Sequence, residues 1–289
     1  MFKNFLKKKF LTACHDAGGA NQIYHYLKKN KIIYKSYLAG PAVKIFKKKT
    51  NLDLLNLEKA IEDSDIVILG SGTGNFELDV LKKAKDKNKY TIVFLDNWTN
   101  FFKRFKRKKV FYLPDEIYVS DKYSFNIARN KIKNVKIKRV KNYYLDYIKK
   151  KSSNNLKKKL CIYFSPNYDN SIKNLKLKKK VDIKNFNILL KKEEKIKKIL
   201  NSKIFDFDIL PHPGEKENKY KKFKNKDDKK INILQNQKLE NIITKYKFSI
   251  STNSYSLFIS KMCGLKTINN IIGTNIKRSI PKEYIDYEI

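Results

Sequence analysis

Short apolar runs recur along this chain at intervals filled by stretches of helical length, and that rhythm leaves few folds open. In the first half, Phe10 to Cys14, Ile32 to Leu38, Asp65 to Leu69, Tyr90 to Leu95 and Glu116 to Val119 read as buried strands. The segment presenting Ile23, Tyr24 and Leu27 on one face reads as a helix, as do Ala42 to Lys48, the amphipathic Leu54 to Glu62, Glu77 to Lys87 and Lys122 to Lys131. Strands joined through helices cannot be closed by tight hairpins, so they lie parallel in one sheet.

Lys149 to Lys159 is polar and lysine-rich and reads as a linker, after which the rhythm restarts. Leu160 to Phe164, Phe205 to Leu210, Ile231 to Leu234, Phe248 to Ile250 and Thr267 to Ile272 are the expected strands. Ile183 to Leu200 is expected as one long helix, with Leu239 to Tyr246 and Tyr255 to Cys263 as shorter ones, the last stopped by Gly264. Glu215 to Lys230, almost wholly charged or polar, reads as an exposed or mobile loop. A chain of 289 residues accommodates two domains of roughly 100–200 residues each. The expected fold class is therefore α/β, with two Rossmann-like domains, residues 1–148 and 159–289, facing each other across a cleft.

The formal net charge of +38 comes almost entirely from lysine, while arginine is scarce and Asn and Ile are plentiful. Codons rich in A and T yield that profile whatever the protein does. A nucleic-acid reader would be expected to use more arginine, whose planar fork contacts phosphate and guanine in pairs. A non-enzymatic polyanion- or nucleic-acid-binding protein is thus an alternative, and the missing arginine argues against its nucleic-acid form. The field still draws anions, and an anionic membrane surface is a possible peripheral partner. Cys14, Cys161 and Cys263 have neither metal-ligand spacing nor an even count, which suits a reducing cytoplasm. The apolar run between Met1 and Leu11 is too short for a signal peptide, and no stretch approaches the roughly 20 apolar residues of a membrane span. The expected location is cytoplasmic, with peripheral contact at the inner membrane.

In open α/β sheets, ligands bind outside the carboxyl ends of the strands, and four loops stand out there. The first runs from Cys14 through His15, Asp16, Gly18 and Gly19 to Asn21. Its glycines permit close backbone approach to a ligand, and Asp16 could take a proton from a hydroxyl. Helix capping by Asp16 is the plain alternative. The second, Gly70 to Gly74, spends three of the chain's nine glycines and offers Gly72, Thr73 and Gly74. It lacks the Gly-Lys-Ser/Thr ending of a phosphate-binding P-loop and departs from the dinucleotide fingerprint. The third, Pro211-His212-Pro213-Gly214, holds a histidine on a backbone stiffened by proline. The fourth, Ser251-Thr252-Asn253-Ser254, puts hydroxyls before a helix N-terminus, where anions are favoured. Asp96, Asn97 and the lone Trp98 end the fourth strand and could line an acceptor groove; Trp98 could equally pack between domains. Phe101 to Lys109, basic with interleaved Phe, suits a membrane-facing surface or a solvated helix face.

A His-Pro loop followed some forty residues later by a Ser/Thr loop resembles the pattern of bacterial sialyltransferases and related capsule-polysaccharide transferases of the GT-B fold. The HDAGGAN segment and Phe94-Leu95-Asp96-Asn97-Trp98 also look like proteins of bacterial surface-polysaccharide clusters. The resemblance implies transfer of a sugar from a CMP- or UDP-linked donor to a glycan or lipid-linked glycan, with neither metal nor cofactor. Asp16 would be the base and His212 would act on the leaving phosphate. Ser251, Thr252, Ser254, Pro213 and Gly214 would hold that phosphate. His15, Gly18, Gly19, Asn21, Gly72, Thr73, Gly74, Asp96, Asn97 and Trp98 would line the cleft. A nucleotide-sugar epimerase or hydrolase of the same architecture is the alternative enzyme.

Overall fold

The computed structural model describes residues 7–46, 56–72, 74–152, 159–166, 168, 181–213, 215, 219–224 and 230–289. The chain divides into two compact units, Met1–Asp146 and Tyr147–Ile289.

The N-terminal unit is a six-stranded parallel sheet. Its strands are β1 (Phe10–Cys14), β2 (Tyr34–Leu38), β3 (Ile66–Leu69), β4 (Tyr90–Leu95), β7 (Glu116–Val119) and β8 (Lys136–Arg139). A small antiparallel ribbon, β5 (Lys106–Arg107) with β6 (Val110–Phe111), interrupts the series. The sheet order is β2-β1-β3-β4-β7-β8. Alternate residues of each strand face opposite sides, so a strand covered on both sides must be apolar throughout. Leu11, Ala13, Val67, Leu69, Val93, Leu95, Ile117 and Val119 build one core with α3 (Leu57–Glu62), α4 (Phe76–Asp86) and α5 (Lys122–Lys131). Phe10, Cys14, Ile66, Ile68, Ile92, Phe94 and Tyr118 build the opposite core with α1 (Ala17–Lys29) and α2 (Pro41–Ile45).

The C-terminal unit is a second six-stranded parallel sheet. It comprises β9 (Lys159–Phe164), β10 (Phe207–Leu210), β11 (Ile231–Ile233), β12 (Tyr246–Ser251), β13 (Lys266–Asn269) and β14 (Tyr287–Glu288). Its order, β11-β10-β9-β12-β13-β14, is the 3-2-1-4-5-6 arrangement of dinucleotide-binding sheets. The first unit instead runs 2-1-3-4, as in flavodoxin-like sheets. The α/β class with two Rossmann-like halves is therefore as expected.

Several local expectations differ from the structure. Residues 149–152, expected to begin the linker, are the end of α6 (Tyr143–Ser152); 153–158 lie outside the described residues. The single helix expected over Ile183 to Leu200 is two, α7 (Val181–Leu190) and α8 (Glu193–Leu200). Of the expected loop Glu215 to Lys230, the described residues include Tyr220 and Phe223, which are buried against Phe186 with ring centroids 5.2 and 4.8 Å away. Two aromatics anchor a segment whose charge content suggests exposure. Of the expected helices, Leu54 and Lys48 fall outside the described residues. The remaining helices are α9 (Leu239–Ile242) and α10 (Tyr255–Met262).

Candidate functional site

In each sheet the strand order reverses once, and the loops flanking the reversal form the natural crevice. In the N-terminal unit the reversal lies between β1 and β3, which pair directly. The loop after β1 carries His15 and Asp16, with Asp16 at the N-cap of α1; its side chain makes no capping hydrogen bond. It is joined to His15 instead, Oδ1 lying 2.7 Å from Nδ1, and both side chains are a little under half exposed. The loop after β3 begins with Gly70, Ser71 and Gly72. A β-carbon built on Gly72 would stand 2.8 Å from Glu77 Oε2 and 3.0 Å from Asp16 Oδ2, so two carboxylates converge on that glycine. Only the absence of a side chain lets them do so.

Glu77 lies in the first turn of α4 and is 5% exposed. Its Oε1 accepts the backbone N–H of His15 at 2.8 Å, while Oε2 is buried without a hydrogen-bond partner among the described residues. Burial raises its pKa, and the charge of Asp16 raises it further, against the His15 N–H. Opposite, Asp96 at the end of β4 reaches under α1, where any β-carbon on Gly18 would collide with its carboxylate. Arg104, its side chain 6% exposed, donates to Asp96 Oδ1 at 2.9 Å and to Ser71 Oγ at 2.8 Å, and also to the Ser71 carbonyl. The cluster therefore holds one acid paired with arginine, one partnered by histidine and one buried with its pKa raised.

Gly19 packs on Gly70, whose Cα would stand 3.2 Å from any β-carbon placed there, and Asn21 is half-buried in α1. Gly74 faces open space; Thr73 lies outside the described residues. Asn97 turns back to accept the N–H of Trp98 at 2.6 Å. Trp98 is 5% exposed, and its indole N–H donates to Asp121 Oδ1 at 3.1 Å, where Asp121 caps α5. The expected acceptor-groove role of Trp98 gives way to packing inside the N-terminal unit. Its N–H needs a buried acceptor, and Asp121 supplies one.

In the C-terminal unit the reversal lies between β9 and β12. The hydroxyls of the fourth loop point two ways. Ser251 Oγ donates to the Phe164 carbonyl at 2.7 Å, and Thr252 Oγ1 donates to the Asn270 carbonyl at 3.0 Å; both residues are fully buried. They fasten the loop to its neighbours, and the phosphate contact expected of their side chains is corrected accordingly. Ser254 differs: it is the N-cap of α10, its Oγ 2.6 Å from Ser256 Oγ and accepting the Ser256 N–H at 3.3 Å.

The His-Pro loop is closed by Glu215, whose N–H donates to the His212 carbonyl at 2.9 Å while its Oε2 accepts the His212 N–H at 3.2 Å. Glu215 Oε1 accepts from Ser165 at the end of β9 and from Lys219 at 2.9 Å. Lys219 also pairs with Asp182, a fully buried side chain whose Oδ1 accepts the Tyr168 N–H at 2.9 Å. Burial pulls the Lys219 pKa down, but its bonds to Asp182 and Glu215 outweigh that and leave it raised. Pro213 is exposed, and Gly214 lies outside the described residues.

Sequence reasoning missed Glu77, Arg104, Glu215, Lys219 and Asp182. A first-turn glutamate reads as complementing the helix dipole, and only its place after a glycine loop hinted at more. The other four carry no signal apart from their contacts.

No protein-family model matches the sequence, and no curated protein matches it. Solved structures do resemble it in fold. The UDP complex of MnaA from S. aureus superposes with a TM-score of 0.62 at 13% identity, over 92% of this chain and 80% of that one. UDP-GlcNAc 2-epimerase from Methanocaldococcus jannaschii gives 0.58 at 14% identity, over 92% and 85%. The enzyme from Neisseria meningitidis bound to UDP-GlcNAc gives 0.57 at 14%, over 92% and 83%.

Proposed function

We propose that this chain is a nucleotide-sugar enzyme of GT-B architecture that transfers a sugar from a CMP- or UDP-linked donor to a surface-glycan or lipid-linked glycan acceptor in the cytoplasm. The observation that carries the reading is the His15–Asp16 pair. It is half exposed at the crevice of the N-terminal unit, and among the described residues Asp16 is joined to the imidazole and to no lysine or arginine. A carboxylate so placed takes the proton of an incoming hydroxyl. The hydroxyl oxygen then bonds to the anomeric carbon as the bond from that carbon to the phosphate oxygen breaks, and the nucleotide departs with the electron pair. His15 orients Asp16, and Arg104 is paired with Asp96 beside it.

The C-terminal unit takes the nucleotide in this reading. Its strand order supports that role, and two proteins of similar fold bind UDP and UDP-GlcNAc. Asp182 and Glu215 are both engaged by Lys219. Neutralising the phosphate then falls to His212, to Ser254 and to the N-terminus of α10. In a thermal-shift screen, CMP or UDP at about a hundred times its dissociation constant should stabilise the protein by about 2.7 kcal/mol. His212→Ala should abolish slow release of nucleotide from the donor; equal release by the variant would remove His212 from the mechanism.

A second reading is a nucleotide-sugar epimerase or hydrolase. Two observations favour it: two of the solved structures above are UDP-GlcNAc 2-epimerases, and Glu77 and Asp96 supply further carboxylates around the same loop. Acceptor dependence separates the two. Transfer requires that added oligosaccharide raise turnover, whereas the alternative reaches full rate in water alone.

A further inference from the structure

Between β4 and β7 the chain leaves the sheet as the ribbon β5–β6, and nothing in the proposed chemistry uses it. Its base is fixed. Phe101 and Phe105 are each 2% exposed in the core of the N-terminal unit, Arg104 is held by Asp96, and the Tyr112 N–H donates to the Phe105 carbonyl at 2.8 Å. Its outer surface is the reverse. Phe102, Val110 and Phe111 are 45%, 52% and 43% exposed, and Phe102 meets Phe111 edge to face at 5.8 Å. Lys103, Lys106, Lys108 and Lys109 surround them, all exposed, and none is in an ion pair with a described residue. The stretch 101–111 contains no acidic residue. The two-residue tip is Lys108-Lys109, with Lys108 at φ 55°, a conformation that hairpins normally give to Asn or Gly. Charge is kept at the tip despite that strain.

We propose that this ribbon is a membrane-contact element, which seats Phe102, Val110 and Phe111 at the headgroup level of an anionic bilayer while the four lysines meet the lipid phosphates. Exposed aromatic and aliphatic side chains inside a ring of cations match an interface that is apolar below and negative above. A soluble polyanion would satisfy the lysines but leave Val110 in water. Stacking of bases on Phe111 is hindered, because Lys106 lies over that ring at 5.2 Å. A second copy of the ribbon would bring eight cations together. No helix among the described residues is long and apolar enough to cross a membrane, so contact here would be peripheral. The inference is independent of the reaction proposed above.

The test is co-sedimentation of the full chain with vesicles of phosphatidylcholine alone or with about one-third phosphatidylglycerol, at low and high salt. The expected result is binding to the anionic vesicles only, weakened by salt. Each cation near such a surface strengthens binding on the order of fivefold. Replacing Lys103, Lys106, Lys108 and Lys109 by Gln should therefore weaken binding by well over tenfold. The control replaces Lys28, Lys29, Lys195 and Lys198, exposed on α1 and α8, and should change binding far less. F102S/F111S, which alters only exposed side chains, should also weaken binding tenfold or more with an unchanged thermal midpoint. Equal loss from both lysine sets, full binding by F102S/F111S, or no binding by the parent chain would each overturn the proposal. So would equally tight, Phe-independent binding to dextran sulfate, or concentration-dependent dimerisation that F102S/F111S abolishes.

Discussion

The two units place comparable loops at the reversal of two parallel sheets, yet they treat their charges in opposite ways. In the C-terminal unit both carboxylates are buried and share one lysine, and two of the loop hydroxyls are turned inward onto carbonyls. In the N-terminal unit Asp16 stays half exposed and Glu77 keeps a buried oxygen without a partner among the described residues. Buried charges paired with one another hold a fixed geometry and suit binding a ligand; a carboxylate left half exposed or with unmet demand suits proton transfer. In the proposed reading binding falls to one unit and chemistry to the other, and the contrast can be attacked at each end.

The largest effect is expected where satisfaction is most complete. Lys219→Met keeps the stem but strands Asp182 and Glu215, whose side chains are 0% and 2% exposed. Breaking such a pair costs about 3–5 kcal/mol, read as a fall in the urea midpoint. Arg104→Met in the other unit leaves Asp96, 17% exposed and able to reach water, and should cost roughly 1–3 kcal/mol. Equal losses would erase the distinction in rigidity. Asp16→Asn should lower turnover by at least about 100-fold while leaving the nucleotide-induced thermal shift intact. A lost thermal shift would put the nucleotide in the wrong unit. Ser251→Ala removes the hydrogen bond to the Phe164 carbonyl and should cost about 1 kcal/mol, without the rate loss expected of a phosphate ligand.

Most strands were legible because both faces of each central strand are covered, which forces runs such as Ile66–Leu69 to be apolar throughout. The edges were not. The outer strand Lys136–Arg139 reads Lys-Ile-Lys-Arg, as a charged edge should, and that hides it from any hydrophobic pattern. The break between α7 and α8 carries neither Pro nor Gly. Loop positions could be read because Gly, Pro and His concentrate at strand exits. The direction of a hydroxyl could not be, since Ser251 turned inward and Ser254 at the helix cap have identical chemistry. The pairing of Lys219 with Asp182 joins residues 37 apart and leaves no local trace.

The smallest effect tests the poised end of the comparison. Glu77→Gln preserves the shape of the side chain and the oxygen that accepts the His15 N–H, but it never ionises. Burial, reinforced by the charge of Asp16, raises the folded-state pKa of Glu77 above the ordinary carboxylate range. Below that range Glu77 is neutral folded and unfolded, so the parent and the variant should be equally stable. As pH rises through the folded pKa, the unfolded chain gains more from ionising than the folded one does, and the parent loses stability that Gln retains. The variant should thus match the parent at low pH and show the higher Tm at pH 8. A difference that stays constant across that interval would mean that Glu77 titrates alike in the folded and unfolded chain, its inner oxygen being accommodated as well as in water. The N-terminal site would then be as satisfied as the C-terminal one, and the division of labour drawn from their difference would fail.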